Sequence, residues 1–346
     1  MNTALLVILI IVGFITGYLA VIIFSPILSV RDQIIRKETY DKSLPGCRYD
    51  ITIAINDTFL SAWLYLPDNI SRPVPCVILS TGFGGTKDVL LESYALRFVE
   101  NGLAAITYDY RYFGASGGEP RQLFNGIKQQ EDLRAVINYA REHEQIDSDS
   151  IILWSVSAAG RYGINAASVD SKIAGVITQC PSLDHAMDDR LIFQREGIWF
   201  FIKLFMHAQR DKGRSRFGLS PHYVPIVGKP HTMALMTAPG ALEGYENLIV
   251  VSKYFVNGIC ARSLLMLQGP DVIKTAHNVK CQVLIIVAEH DTTVSPDSYK
   301  RVAGILGDNA TIIKFPVGHF DLYTGEFFEK AINAQLNFIK KIIAQH

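Results

Sequence analysis

The chain lacks an excess of charge of either sign. Its 33 Lys and Arg residues balance 33 Asp and Glu residues over 346 positions. Without a basic excess there is no electrostatic footprint for a nucleic acid, so no nucleic-acid partner is expected. Without an acidic tract there is no solvating tail. Paired cysteines are also missing. Cys47, Cys76, Cys180, Cys260 and Cys281 are scattered, and none forms a C-x-x-C pair. That argues against zinc and thioredoxin-like sites and reads as buried thiols in a reducing compartment. No H-E-x-x-H or other metal-ligating spacing occurs, so neither a metal nor a cofactor is expected. Internal repeats and low-complexity tracts are absent as well. What is abundant is apolar surface: 49% of residues are hydrophobic, enough for a large core.

Charge is missing altogether from residues 1–30, and Arg31 is the first charged side chain. Residues 4–24 alone would form a helix of roughly 30 Å, about one hydrocarbon core. A cleavable signal peptide needs a basic leading region, a shorter apolar run and a small-x-small site. The basic region is missing and the run is too long, so residues 1–30 are expected to be an uncleaved transmembrane anchor. Residues 31–47 then form a linker. Arg31, Arg36 and Lys37 follow the span and no Lys or Arg precedes it. The positive-inside rule therefore predicts a single-pass membrane protein with its main domain, residues 48–346, on the cytoplasmic side.

Within that domain, residues 48–55 and 58–66 read as two strands around an Asn56-Asp57 turn. A strand-helix alternation follows. Strands are expected at 76–80, 104–109, 151–156 and 173–178, with helices at 88–100, 129–142 and 158–167. Regular alternation implies a mainly parallel sheet covered by helices on both faces. It breaks at Pro181 and resumes with a strand at 283–288, a helix at about 296–306, a strand at 311–315 and a helix at about 325–344. The inserted residues, about 182–280, carry the aromatic run Ile198-Trp199-Phe200-Phe201-Ile202-Lys203-Leu204-Phe205. They are expected to form a helical lid that supplies an acyl-binding wall. An interfacial contact of this insertion with the bilayer is a further reading.

Three polar residues fall just beyond strand ends, the edge where sites form in open α/β sheets. Ser157 follows the run Ile151-Ile152-Leu153-Trp154-Ser155-Val156 and precedes Ala158-Ala159-Gly160. A serine among small residues between a strand and a helix has the chemistry of a nucleophile elbow, where the backbone folds back too tightly for bulky neighbours. A serine also needs a base and a group to orient that base. Asp291 follows strand 283–288, and His319 follows strand 311–315. Helix-capping and loop roles are the competing readings for each alone. Glu289 and Asp321 are fallback acids, and His290 is a fallback base. Oxyanion donors are expected from the backbone N–H of Ala158 and of Phe83, in the loop Thr81-Gly82-Phe83-Gly84-Gly85. That loop has neither dinucleotide-binding nor P-loop glycine spacing. Asp109 and Arg111 are expected to brace loops.

The chain resembles the α/β-hydrolase superfamily, in the branch of lysophospholipase-like and serine-aminopeptidase-like hydrolases that includes fungal polyketide transferases. The motifs that carry this are Gly82-Phe83-Gly84-Gly85-Thr86-Lys87, Asp109-Tyr110-Arg111 through Arg121, the serine elbow, Glu289-His290-Asp291 and Gly318-His319-Phe320. The resemblance runs from about Asp50 to the C-terminus. It implies an α/β-hydrolase fold with Ser157 as nucleophile, Asp291 as acid and His319 as base. Three departures stand out. Thr81 replaces a histidine common in the branch, and Ser155 and Ala159 replace the elbow glycines. A side chain at 159 is expected to narrow the space beneath the nucleophile. The expected function is a membrane-anchored serine hydrolase cleaving acyl esters or thioesters of small molecules. Acyl transfer or peptide cleavage by the same triad, and a non-catalytic binding protein of the same fold, are the alternatives.

Overall fold

The computed structural model describes residues 3–24, 46–68, 70–89, 91–267 and 269–344. Most of the expected linker, with Arg31, Arg36 and Lys37, lies outside the described residues.

β1 (Arg48–Ile55) and β2 (Thr58–Tyr65) form an antiparallel hairpin in which Ile55 pairs with Thr58. Asn56 takes a φ of 48° in the two-residue turn, a conformation asparagine tolerates well. The alternation then builds β3 (Val74–Ser80), α2 (Leu91–Glu100), β4 (Ala104–Tyr108), α3 (Gly126–Glu142), β5 (Ile146–Val156), α4 (Gly160–Val169) and β6 (Ile173–Gln179). After the insertion come β9 (Gln282–Ala288), α8 (Lys300–Leu306), β10 (Ala310–Phe315) and α9 (Gly325–Ile343). The sheet has eight strands in the order β1-β2-β4-β3-β5-β6-β9-β10. β2 runs antiparallel to both of its neighbours, β1 and β4, and the six strands from β4 onward in that order are mutually parallel. The parallel strands are continuous apolar runs because helices cover both faces. Ile151–Trp154 and Val283–Ile286 are almost completely buried.

Element boundaries differ from the periodicity where side chains cap or pin the backbone. α2 begins at Leu91 rather than at position 88, because Asp88 is used elsewhere. Its carboxylate accepts from the Thr86 and Ser252 hydroxyls and from the N–H groups of Lys253 and Tyr254. α3 begins earlier than expected, at Gly126, because the Asn125 side chain caps the N–H groups of Ile127 and Lys128. α8 begins later, at Lys300. The preceding residues form turns, and the Ser298 hydroxyl donates to the Pro181 carbonyl.

The insertion between β6 and β9 is mainly helical. It holds α5 (His185–Arg216), α6 (Ala241–Leu248) and the one-turn α7 (Val272–Thr275). A two-residue ribbon, β7 (Tyr223–Val224) with β8 (Ile259–Cys260), was not legible as strands. α5 is broken at Gly197, whose φ of 71° and ψ of 177° are not helical.

α1 (Thr3–Phe24) is long and apolar enough to cross a membrane, and its most apolar stretch is not buried among the described residues. Its C-terminal end meets the C-terminal end of α5. The Arg214 guanidinium donates to the Ile23 carbonyl at 2.8 Å, and the Phe24 and Phe217 rings lie 5.2 Å apart.

Candidate active site

β5 ends in the centre of the sheet, and the chain reverses at Ser157. Ser157 has a φ of 54°, a left-handed conformation costly for any residue with a side chain, on the order of 1–3 kcal/mol. The surroundings hold it there. The Ser182 N–H donates to the Ser157 carbonyl at 3.0 Å. One 3₁₀ turn, Ser157–Ala159, leads into α4, so the helix starts two residues later than expected. Gly160 is a tight position beneath the elbow. A Cβ at Gly160 would stand 2.6 Å from both Pro181 Cβ and Thr178 Oγ1. Ala159 is simply buried. Ser155 is also buried, and Gly163 makes room for it, since a Cβ there would lie 3.0 Å from Ser155 Oγ.

Asp291 and His319 follow β9 and β10, which are neighbours in the sheet. Asp291 Oδ2 lies 2.6 Å from His319 Nδ1, and both residues are buried. Asp291 Oδ1 accepts from the N–H groups of Thr293 and Val294, at 2.8 and 2.9 Å. The aspartate therefore shapes its own loop while orienting the imidazole. With Nδ1 engaged, Nε2 is the nitrogen left for proton transfer. Ser157 and His319 line one cavity of about 30 Å³, together with Gly82, Phe83, Tyr245 and Phe320. A larger cavity of about 610 Å³ shares its His319–Phe320 wall and opens between α6 and the histidine loop.

The fallback groups are arranged differently. Glu289 and His290 are exposed, and their N–H groups bond to the carbonyls of Phe315 and Val317. Asp321 is exposed and accepts the Gly318 N–H, which shapes the histidine loop.

The glycine loop approaches the serine closely. Gly85 N–H bonds to the Gly82 carbonyl, and Thr81 Oγ1 donates to the Gly85 carbonyl. Tyr245 of α6 donates its hydroxyl to the Phe83 carbonyl at 2.6 Å, and the Phe83 ring packs on Phe124. The insertion thus fixes the loop that carries Phe83. Tyr245 has no sequence signal, because its partner is a backbone atom 162 residues away. Asp109 is buried, and burial raises its pKa. It accepts from the Lys87 ammonium at 2.5 Å and from the N–H groups of Lys87 and Ala115. Arg111 of the same loop region pairs with Asp132 of α3.

A second network escaped the sequence reading. The Ser182 hydroxyl donates to Asp188 at 2.6 Å, Arg161 donates to Ser182, and Asp188 accepts the Ser295 N–H. It ties the root of α5 to the helix after Ser157 and to the loop after Asp291.

Cys180, Asp291 and His319 place potential metal-ligating atoms within 4.8 Å of one another. The donor set does not fit a metal. The imidazole nitrogen and the carboxylate are engaged with each other, and burial holds the Cys180 thiol well above its ordinary pKa. All five cysteines are free. Cys76, Cys180 and Cys260 are buried, whereas Cys47 and Cys281 are only half-buried.

Residues 71–318 match the family model described as serine aminopeptidase, S33. The chain belongs to this hydrolase family. It is 33% identical to the quorum-quenching protein AidA of Acinetobacter baumannii, covering 87% of this chain and 97% of that protein. It is 30% identical to the thiohydrolase AneE of Aspergillus aculeatus, covering 78% of this chain and 86% of that one. The crystal structure of the α/β hydrolase GrgF from a Penicillium species shares the fold. Its TM-score is 0.70 at 24% identity, over 87% of this chain and all of that one. The eight-stranded, mostly parallel sheet and its flanking helices are the α/β-hydrolase fold of this family.

Proposed function

We propose that this protein is a membrane-anchored serine hydrolase that cleaves acyl esters or thioesters of small molecules through Ser157, His319 and Asp291. The observation that carries the reading is the strained Ser157 sharing one cavity with a histidine whose other face is held by a buried aspartate. In this mechanism Ser157 Oγ attacks the acyl carbonyl while His319 Nε2 takes its proton. Asp291 holds the imidazole tautomer and stabilises the imidazolium. The N–H groups of Phe83 and Ala158 receive the negative charge on the carbonyl oxygen. His319 then protonates the leaving group. Water, deprotonated by His319, attacks the acyl-enzyme; the acyl–Oγ bond breaks as His319 returns the proton to Ser157, and the acid is released.

The thiohydrolase relative supports thioester cleavage. A second reading, acyl transfer to another acceptor in the last step, draws on the polyketide transferase GrgF, 25% identical over 87% of this chain. The larger cavity beside His319 offers room for such an acceptor. The apolar α1 supports the anchor, and the basic residues 31, 36 and 37 support a cytoplasmic domain.

A fluorophosphonate probe tests the chemistry. Labelling of the wild type that disappears in Ser157→Ala is the expected result. A folded wild type that neither labels nor turns over any acyl ester or thioester would sink the proposal. Following acid release against transfer to added alcohols and amines separates hydrolysis from acyl transfer. Protease protection in sealed membranes reads the topology.

A further inference from the structure

Beyond its kink at Gly197, α5 carries large apolar side chains that no described residue covers. Ile198, Trp199, Ile202, Phe205 and Met206 are all exposed, Trp199 at 70%. They recur at the 3.6-residue period of a helix, so they form one stripe along it. Buried Phe200 and Leu204 occupy the opposite side and attach the helix to the body. An uncovered stripe of this composition on a water-facing helix costs free energy unless something covers it.

The stripe leads to α1. At about 100° per residue, Gly213 falls within roughly 20° of Ile202 and of Met206 around the α5 axis. Gly213 is where α1 arrives, because a Cβ there would stand 2.7 Å from Ile23 side-chain atoms. Arg214 bonds to the Ile23 carbonyl, and Phe217 packs on Phe24. The stripe and α1 therefore lie on the same side of α5, with the polar Gln209 and Lys212 between them. Lys203, Lys212 and Arg216 are exposed along the same helix and suit anionic headgroups.

We propose that the outer segment of α5, residues 198–206, docks into the interface of the bilayer that α1 crosses. Trp199 and Phe205 insert among the acyl chains, as amphipathic helices do. This rests on the anchored-hydrolase reading above and narrows its substrate class to acyl compounds dissolved in the membrane. The root of α5 is tied through Ser182 to the carbonyl of Ser157. Docking thus holds the active site close to the lipid surface.

The test uses the full chain in vesicles of phosphatidylcholine and phosphatidylglycerol with brominated acyl chains. Trp63 and Trp154 are buried in the core, so quenching reports on Trp199. Bromolipid should quench the wild type and leave folded Trp199→Phe unquenched. Phe205→Trp in that background should restore quenching. No quenching in either tryptophan-bearing protein, with the chain in the vesicles, overturns the proposal. So does shielding of Trp199 that requires a cross-linkable second copy. The double variant Trp199→Ser/Phe205→Ser should lose about tenfold or more in kcat/KM on a long-chain ester dissolved in the vesicles. Its turnover of a soluble acetate ester and its fluorophosphonate labelling should stay unchanged. Equal loss on both esters, or no loss on either, counts against docking. If the wild type neither labels nor turns over ester, the hydrolase reading fails, and quenching alone then decides the surface.

Discussion

A Cβ placed on Gly82 would stand 3.1 Å from the Cβ of Ser157 and 3.7 Å from its Oγ. The glycine loop and the serine turn therefore touch backbone to side chain, with no room for a methyl group. Gly82→Ala should push the loop or the serine aside by a few tenths of an ångström. Misplacement on this scale costs catalysis far more than folding. We expect kcat to fall by about tenfold or more while the thermal midpoint moves little. Steady-state kinetics beside thermal melting checks this.

Asp291→Asn isolates the orienting role. The amide oxygen can still accept from Thr293 and Val294, so the loop should keep its shape. Its NH₂ would face His319 Nδ1 and favour the wrong tautomer. A loss of about 10³- to 10⁴-fold in kcat is expected, with near-native stability. Turnover of an activated ester reads the first, and denaturant unfolding the second.

Arg111 and Asp132 form a buried pair that holds the loop after β4. Asp132 accepts from the Arg111 side chain at 2.5 Å and from its N–H at 2.9 Å. Asp132→Ala leaves a largely buried guanidinium and a backbone donor without that partner. Destabilisation of about 3–5 kcal/mol is expected, and denaturant unfolding measures it. The rate per folded molecule should change little, since neither residue lines the cavity with Ser157.

Asp188 gives a pH signature. Burial pushes its carboxyl up to about 6, against the hydrogen bonds from Ser182 and Ser295 and the nearby Arg161. Its ordinary value in an unfolded chain is about 4. The folded state therefore binds the proton more tightly. The resulting stabilisation is complete below about pH 4 and is lost as pH rises through about 6. Asp188→Asn should remove that dependence. The variant's stability relative to wild type should rise by about 2 kcal/mol between pH 4 and pH 7. Paired unfolding curves at the two pH values check the sign. A flat difference would show that the carboxyl does not titrate in this window.

The amino-acid sequence by itself determined the elements outside the insertion and their order. Apolar runs such as Ile151–Trp154 and Val283–Ile286 become strands wherever helices cover both faces, and period 3.6 marks the helices between them. It also singled out Ser157, Asp291 and His319, because each follows a strand end, and it marked α1 by twenty-odd uncharged apolar residues. Only the tertiary structure decided how these pieces meet. It made Gly160 a tight position beneath the serine, because Pro181 and Thr178 crowd that point from another strand end. It drew Tyr245 to the Phe83 carbonyl and Asp188 to Ser182 and Ser295, bonds whose partners are backbone atoms or a lone hydroxyl with no pattern to read. It also left one side of α5 uncovered by any described residue, on the side where α1 arrives. Periodicity shows that a helix has an apolar face, but only packing shows which face the protein fails to cover.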